Sequence, residues 1–183
     1  GDIKYVDLDK NGFIDTYDQM AIGGTENPEI VYGFGVNLRW KELDFGAMFQ
    51  GIGRTWRILS SNIMPASNKG SMYNIFDNYQ DRWTVDNQSQ DVFYPRADYG
   101  PNANNSQKST WWLRNMSFLR LKNLELGYSC PKKWLQGFVI SNARVFVRGT
   151  NLLTFSKFNL WDPELATGDG AKYPAMKSVS VGF

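Results

Sequence analysis

Large apolar side chains occupy every second position over several stretches of this chain. Between residues 30 and 40 they are Ile30, Tyr32, Phe34, Val36, Leu38 and Trp40. Because successive side chains of a β-strand point to opposite faces of the sheet, this alternation predicts a strand with one apolar and one mainly polar face. Residues 43–56 repeat the pattern after a two-residue turn at 41–42, so the two segments together predict a long hairpin.

Three further segments, 118–130, 142–155 and 178–183, also alternate. The first of them changes phase after Leu121, and a β-bulge near Lys122 and Asn123 would return its two halves to one face. The last places Val179, Val181 and Phe183 on one face, and its exposed edge needs a partner strand. All five segments can be ordered as antiparallel neighbours, which predicts an all-β fold.

The predicted connections are strongly unequal in length. Residues 41–42 and roughly 130–141 are short links, whereas roughly 57–115 and 157–177 are long and rich in polar residues, Gly, Pro and aromatics. No apolar run approaches the ~20 residues of a membrane helix, but strands of about 9–11 alternating residues can also span a membrane. Short turns at one end and long loops at the other are typical of outer-membrane barrels.

Composition excludes several classes of function. The net charge of +2 does not indicate a nucleic-acid-binding surface. The chain has one cysteine, Cys130, and no histidine, which rules out the usual zinc sites and the Ser-His-Asp and Cys-His nucleophile systems within it. We therefore expect the chain not to be an enzyme.

The segment from Asp7 to Asp18 matches the spacing of a calcium-binding loop. Oxygen-bearing side chains occupy loop positions 1, 3, 5, 9 and 12, a glycine occupies position 6, and a backbone carbonyl serves at position 7. The expected ligands are Asp7, Asp9, Asn11, Phe13 (through its carbonyl), Asp15 and Asp18. Position 12 is Asp rather than the longer Glu, so bidentate closure is less assured, and the alternative is a metal-free Asx-rich turn.

The long segment 57–115 combines aromatic rings with amides and charged groups, a mixture that suits sugar rings and peptides equally. Its aromatic residues include Tyr73, Phe76, Tyr79, Trp83, Phe93, Tyr94, Tyr99, Trp111 and Trp112. We select Trp83, Tyr94, Trp111 and Trp112 as candidate substrate-binding residues. The alternative is that these rings pack the long loop onto itself.

Short motifs along the chain, in this order, resemble the final third of the SusC/RagA family of TonB-dependent outer-membrane transporters. They include Asp2-Ile3-Lys4-Tyr5, Asp7-Leu8-Asp9-Lys10-Asn11-Gly12, Tyr32-Gly33-Phe34, Asp81-Arg82-Trp83-Thr84, Tyr94-Pro95-Arg96, Phe118-Leu119-Arg120-Leu121-Lys122-Asn123-Leu124, Leu126-Gly127-Tyr128, Asn151-Leu152-Leu153-Thr154-Phe155, Asp162-Pro163-Glu164 and Tyr173-Pro174. Each motif alone is weak evidence, but together, in this order, the motifs extend over essentially the whole chain.

The resemblance implies the carboxyl-terminal antiparallel strands of a plugged 22-stranded transmembrane β-barrel with long extracellular loops. In this interpretation residues 1–29 form an extracellular segment carrying the calcium-loop motif, residues 30–183 belong to the barrel, and the amino-terminal plug and most strands lie outside the chain. The resemblance also implies residence in the outer membrane and import of oligosaccharides or peptides. It implies a SusD-like surface lipoprotein and the TonB complex as partners, and an assembly signal at Val179, Val181 and Phe183.

An alternative function comes from a different class of protein. The same strands could form a soluble extracellular β-sandwich that binds glycans and carries a calcium loop. In a sandwich the apolar faces would meet in a dry core, whereas in a barrel they would face lipid. The exposure of these faces therefore distinguishes the two hypotheses.

Overall fold

The computed structural model describes residues 1–60, 63, 76–98, 102–137 and 139–183 of the chain. They form two compact units. The first comprises Gly1–Gly24, Arg57–Arg114 and Thr167–Asp169, and the second comprises Thr25–Trp56, Asn115–Ala166 and Gly170–Phe183. The expectation of an all-β fold is confirmed, since the described residues contain strands and single-turn 3-10 helices but no α-helix. None of these helices is long and apolar enough to cross a membrane.

The second unit is built on one antiparallel sheet with the strand order β1-β2-β5-β6-β7. Its strands are Ile30–Trp40 (β1), Leu43–Gly53 (β2), Phe118–Ser129 (β5), Arg144–Ser156 (β6) and Ser178–Gly182 (β7). Two short strands, Trp56–Ile58 (β3) and Leu113–Asn115 (β4), form a separate two-stranded sheet. All five predicted strands are present, and they pair as antiparallel neighbours, as the sequence predicts.

Strand boundaries differ from the sequence prediction at one informative place. The strand expected over residues 43–56 ends at Gly53, and Trp56 begins β3 instead. Arg54 lies between them with a φ of 53°, a left-handed conformation that interrupts an extended strand. Its side chain forms an exposed ion pair with Glu29, with Nε 2.9 Å from the carboxylate.

The predicted β-bulge lies in β5 and is confirmed. Met48 of β2 pairs with Asn123, and the next residue, Phe49, pairs with Leu121, so Lys122 is left out of the ladder. The pairing between β5 and β6 shifts at the same place. The bulge is needed because it returns Leu124 and the apolar residues after it to the face that carries Leu121.

The register aligns apolar residues with apolar residues across the whole sheet. One row consists of Val36, Ala47, Leu124, Gly149 and Val179, and a second consists of Leu38, Phe45, Leu126, Val147 and Val181. Between them lies a row of opposite character, Asn37, Gly46, Glu125, Arg148 and Ser180. The sheet therefore has an apolar face and a polar face.

Most large side chains on the apolar face are exposed rather than packed in a core. They include Tyr32, Phe34, Val36, Leu38, Leu126, Val145, Val147, Leu153, Phe155, Val179 and Val181. A contiguous exposed apolar surface of this kind marks contact with a membrane or with another macromolecule. The other sheet among the described residues has only two short strands, and these apolar side chains remain exposed, which argues against the β-sandwich alternative.

A glycine on the apolar face makes room for an aromatic side chain. The ring of Tyr32 lies over Gly51, and its hydroxyl donates to the carbonyl of Phe118 at 3.2 Å. A Cβ atom on Gly51 would lie 2.5 Å from that same carbonyl oxygen and closer still to the ring. Tyr32 thus reaches from β1 across β2 to the start of β5, and only glycine fits beneath it.

We expect Gly51→Ala to destabilise the intact protein by about 1–3 kcal/mol, because backbone or a packed ring must move. Gly53→Ala is the matched control in the same strand, where the new Cβ would meet Ile30 at an ordinary 3.6 Å. Urea unfolding in lipid vesicles measures both. Equal stability of the two variants would contradict the packing described for Tyr32.

The barrel interpretation of the sequence, in which the apolar face contacts lipid, predicts a cost for charge placed on that face. Val36→Arg, near the middle of β1, should lower the free energy of unfolding by about 2–4 kcal/mol in vesicles. Asn37→Arg, one residue along on the polar face, should cost much less. Equal tolerance of the two substitutions would show that the faces are assigned incorrectly.

Candidate functional site

The calcium-loop motif folds into a compact turn built around two carboxylates. Asp7 accepts hydrogen bonds from the amides of Asn11 (3.2 Å) and Gly12 (2.8 Å), and Asp9 also accepts from Asn11 (3.1 Å). Gly12 has a φ of 87°, which side-chain-bearing residues rarely adopt. Gly12, at loop position 6, therefore adopts the left-handed backbone conformation that the sharp turn of the motif requires.

Asp18 closes the loop from its other end. Its two carboxylate oxygens accept from the amides of Leu8 (2.6 Å) and Asp15 (2.8 Å). Asp15 in turn caps the single-turn helix Thr16–Asp18 by accepting from the amide of Tyr17. Backbone donors, first from Asp15 and then from Leu8, hold the pKa of Asp18 below its ordinary value, so this carboxylate stays ionised into mildly acidic solution.

Three of the six predicted metal ligands converge. One carboxylate oxygen from each of Asp7, Asp9 and Asp18 lies within 4.8 Å of the other two. Asn11 forms local hydrogen bonds instead. Its side-chain Nδ2 donates to Asp9 at 3.0 Å, and its side-chain Oδ1 accepts from the backbone amide of Phe13. Asp15 likewise serves as the helix cap. The arrangement offers three negative charges to one hard cation.

The residues just before this loop are tied to a distant part of the chain. Asp2 accepts from Arg96 Nε and from the Asn105 amide, both at 2.8 Å, and the Arg96 guanidinium lowers the pKa of Asp2. Asn105 also accepts from the amide of Ile3 at 2.9 Å, while its backbone carbonyl accepts from the indole of Trp112. The sequence analysis missed this network, since its partners lie about 100 residues apart.

Two of the four candidate substrate-binding aromatics are buried. Trp112 is 0% exposed and Tyr94 is 1% exposed, and both pack in a ring cluster with Phe93. Burial raises the pKa of Tyr94 to about 12, and its hydroxyl reaches Asn78 at 3.3 Å. These two rings hold the first unit together, as the loop-packing alternative requires.

The other two candidates are more accessible. Trp83 and Trp111 are both partly exposed, and the Trp111 indole donates to the carbonyl of Phe93 at 3.1 Å. Tyr73 and Tyr99, which the sequence analysis grouped with them, lie outside the described residues. Trp83 and Trp111 are therefore the pair that retains ring surface for a ligand.

The polar face of the sheet is concave and carries paired charges. A cavity of about 1020 Å³ is lined there by Arg39, Asp44, Glu125 and Arg148, with Asn37 and Asn123 among its other polar residues. Arg144 binds both Asp44, with Nε 3.0 Å from the carboxylate, and Glu125 at 2.6 Å. The Arg144–Asp44 pair passes directly over Gly127, whose lack of a side chain leaves space for it.

Comparison with known proteins identifies relatives over nearly the whole chain, although no protein-family profile matches it. TonB-dependent receptor P26 of Formosa agariphila is 32% identical over 198 residues, covering 100% of this chain and 19% of the receptor. TonB-dependent receptor P3 of the same organism is 32% identical over 87% of the chain and 15% of the receptor. TonB-dependent receptor SusC of Bacteroides thetaiotaomicron is 24% identical over 98% of the chain and 17% of the receptor.

Comparison with solved structures identifies the same kind of protein. The RagAB peptide transporter is similar with a TM-score of 0.71 and 32% identity, over 92% of this chain and 18% of the transporter chain. The RagAB peptide importer in its open-open state has a TM-score of 0.68 and 30% identity, over 96% of this chain and 19% of the importer chain. The chain thus spans less than a fifth of the length of these proteins.

The relatives are receptors and transporters rather than enzymes, as expected from the lack of nucleophile and zinc systems. The chain belongs to the SusC/RagA family of TonB-dependent receptors, and its strands correspond to the carboxyl-terminal part of the family's outer-membrane β-barrel.

Proposed function

We propose that the protein containing this chain imports oligosaccharides or peptides across the outer membrane, driven by the TonB complex and assisted by a SusD-like surface lipoprotein. The observation that carries the proposal is the division of one sheet into an exposed apolar face and a charged concave face, because a barrel wall needs both. The similarity to SusC and to the RagAB peptide transporter supports the same function.

The proposal is tested by deleting the gene and measuring uptake of fluorescent peptides and fluorescent oligosaccharides by whole cells. We expect loss of uptake for one of the two classes, with the same loss after deletion of the gene for the SusD-like lipoprotein or for TonB. Undiminished uptake of both classes would contradict the transport proposal. A water-soluble, monomeric intact protein would instead favour the soluble binding module.

Trp83 and Trp111 are proposed to contact the substrate through their partly exposed rings. Removing a ring that stacks on a ligand costs binding energy, and about 1.4 kcal/mol corresponds to a tenfold change in affinity. We expect Trp83→Ala or Trp111→Ala to raise the KM for uptake about tenfold. Trp134→Ala, in the short link between β5 and β6, is the matched control and should leave KM unchanged.

Calcium is proposed as the ligand of the loop formed by Asp7, Asp9 and Asp18, because their oxygens converge within 4.8 Å. Isothermal titration of the intact protein with Ca²⁺ should show binding with a Kd between about micromolar and millimolar. Asp9→Ala should weaken it at least tenfold, since one of three converging charges is lost. The control is Asp91→Asn, an exposed carboxylate elsewhere in the first unit.

Protons should compete with the metal at this loop. The pKa of Asp18 is lowered in the folded state, so its ionised carboxylate stabilises the folded loop at neutral pH. This contribution to stability is lost as the pH falls through that lowered pKa. Calcium affinity should therefore decline only in distinctly acidic solution. The absence of any calcium-dependent heat at neutral pH would remove the metal proposal while leaving the transport proposal intact.

Val179 and Val181 of β7, with Phe183 after it, are proposed to form part of the signal that the barrel-assembly machinery recognises. Val179 and Val181 lie opposite Gly149 and Val147 of β6, so β7 pairs backward as expected. Phe183 is fully exposed beyond the last paired residue. An exposed aromatic group next to an apolar strand face supports this role.

A further inference from the structure

A buried ion cluster lies on the polar face of β5. Arg120 is only 2% exposed, and by register it belongs to the same row as Gln50 and Thr154. Lys122, two residues on, is the bulge residue, and its side chain is 21% exposed. Buried cations of this kind require compensating negative charge, since removing them from water is costly.

The compensating charge comes from the segment that follows β6. Asp162 binds Arg120 Nη2, and Glu164 Oε2 lies 3.1 Å from Arg120 Nη1. The two oxygens of Glu164 also accept from Lys122 Nζ at 2.7 and 3.0 Å. Two cations and two anions therefore form a closed cluster across 42 residues of sequence.

Local geometry holds the two carboxylates at a fixed spacing. Asp162 caps the single-turn helix Pro163–Leu165 by accepting from the amide of Glu164 at 3.0 Å. Pro163 begins that helix with its φ fixed by the ring, and Ala166 ends it in a left-handed conformation. Asp162 thus shapes the turn and binds Arg120 with the same carboxylate.

The first part of the segment is tied down separately. The hydroxyl of Ser156 donates to the carbonyl of Ser117 at 2.8 Å and accepts from the amide of Phe158. Phe158 is buried, and its ring packs edge-on against Trp161 with centroids 4.8 Å apart. The chain between β6 and the helix is therefore held close to the start of β5.

We propose that residues 157–166 form a strap fixed to the polar wall of the sheet by the cluster of Arg120, Lys122, Asp162 and Glu164. This segment is the first part of the connection that the sequence analysis predicts over residues 157–177. Release of the strap would leave Arg120 buried without its carboxylates, and within the described residues its Nε already has no hydrogen-bond partner. Under the proposed transport function, on which this last step rests, the polar face lines the substrate path and the strap is a fixed part of that lining.

The test is hydrogen exchange measured by mass spectrometry on residues 157–166 of the intact protein in detergent. In the Asp162→Asn/Glu164→Gln variant both anions become neutral at nearly constant volume. We expect amide exchange in this segment to accelerate at least tenfold, because the strap opens locally. Exchange in β5 and β6 should change much less, and heat-modifiable mobility in SDS should show that the barrel has formed.

The matched control is Glu29→Gln, which breaks the exposed Arg54–Glu29 pair in the same unit and should leave exchange at 157–166 within twofold of wild type. Unchanged exchange in the double variant would show that apolar packing of Phe158 and Trp161 holds the segment, which overturns the proposal. If the double variant does not form a barrel, the Lys122→Gln variant takes its place. We expect amide exchange at residues 157–166 to be about threefold faster in this variant than in wild type. Unchanged exchange there would also overturn the proposal.

Discussion

The structure depends on the backbone hydrogen bonds of one antiparallel ladder. A strand that faces hydrocarbon cannot satisfy its amides with lipid, so every one of these groups must bond to a neighbouring strand. Pairing of this kind fixes the register, and the period of two then decides which side chains face outward. In this sheet the row from Val36 to Val179 is apolar, and the next row contains Asn37, Glu125 and Arg148. A slip by one residue would exchange the two faces.

Two local irregularities make this register possible. Lys122 is left unpaired in the bulge, and without that extra residue Leu124 and Leu126 would join the polar face. Gly51 accommodates the ring of Tyr32, which reaches across β2 to the carbonyl of Phe118. Both features interrupt the regular strand pattern, and each keeps large apolar side chains on the apolar face of the sheet.

The polar face is organised differently, because its charged side chains pair with one another over long distances in the sequence. Arg144 links Asp44 and Glu125 across the space above Gly127, and Arg120 draws in Asp162 and Glu164 from the following connection. Long-range pairs therefore organise this face, whereas the apolar face needs only alternation. In the first unit the Asp2, Arg96 and Asn105 network plays a comparable part, because it holds the segment that leads into the acidic loop.

Features that depend on local order were predictable from the amino-acid sequence: five alternating strands, the bulge near Lys122 and the acidic loop that contains Gly12. Each follows from the geometry of a few consecutive residues. The folded structure was needed to show that Tyr94 and Trp112 are buried, that Asn11 and Asp15 serve local hydrogen bonds, and that Asp162 and Glu164 reach β5. The ion pairs join residues from 42 to about 100 positions apart, and neither alternation nor motif spacing carries information about partners at that distance. Ring burial and the choice between metal ligand and hydrogen-bond acceptor depend on atomic positions that residue type and spacing do not specify.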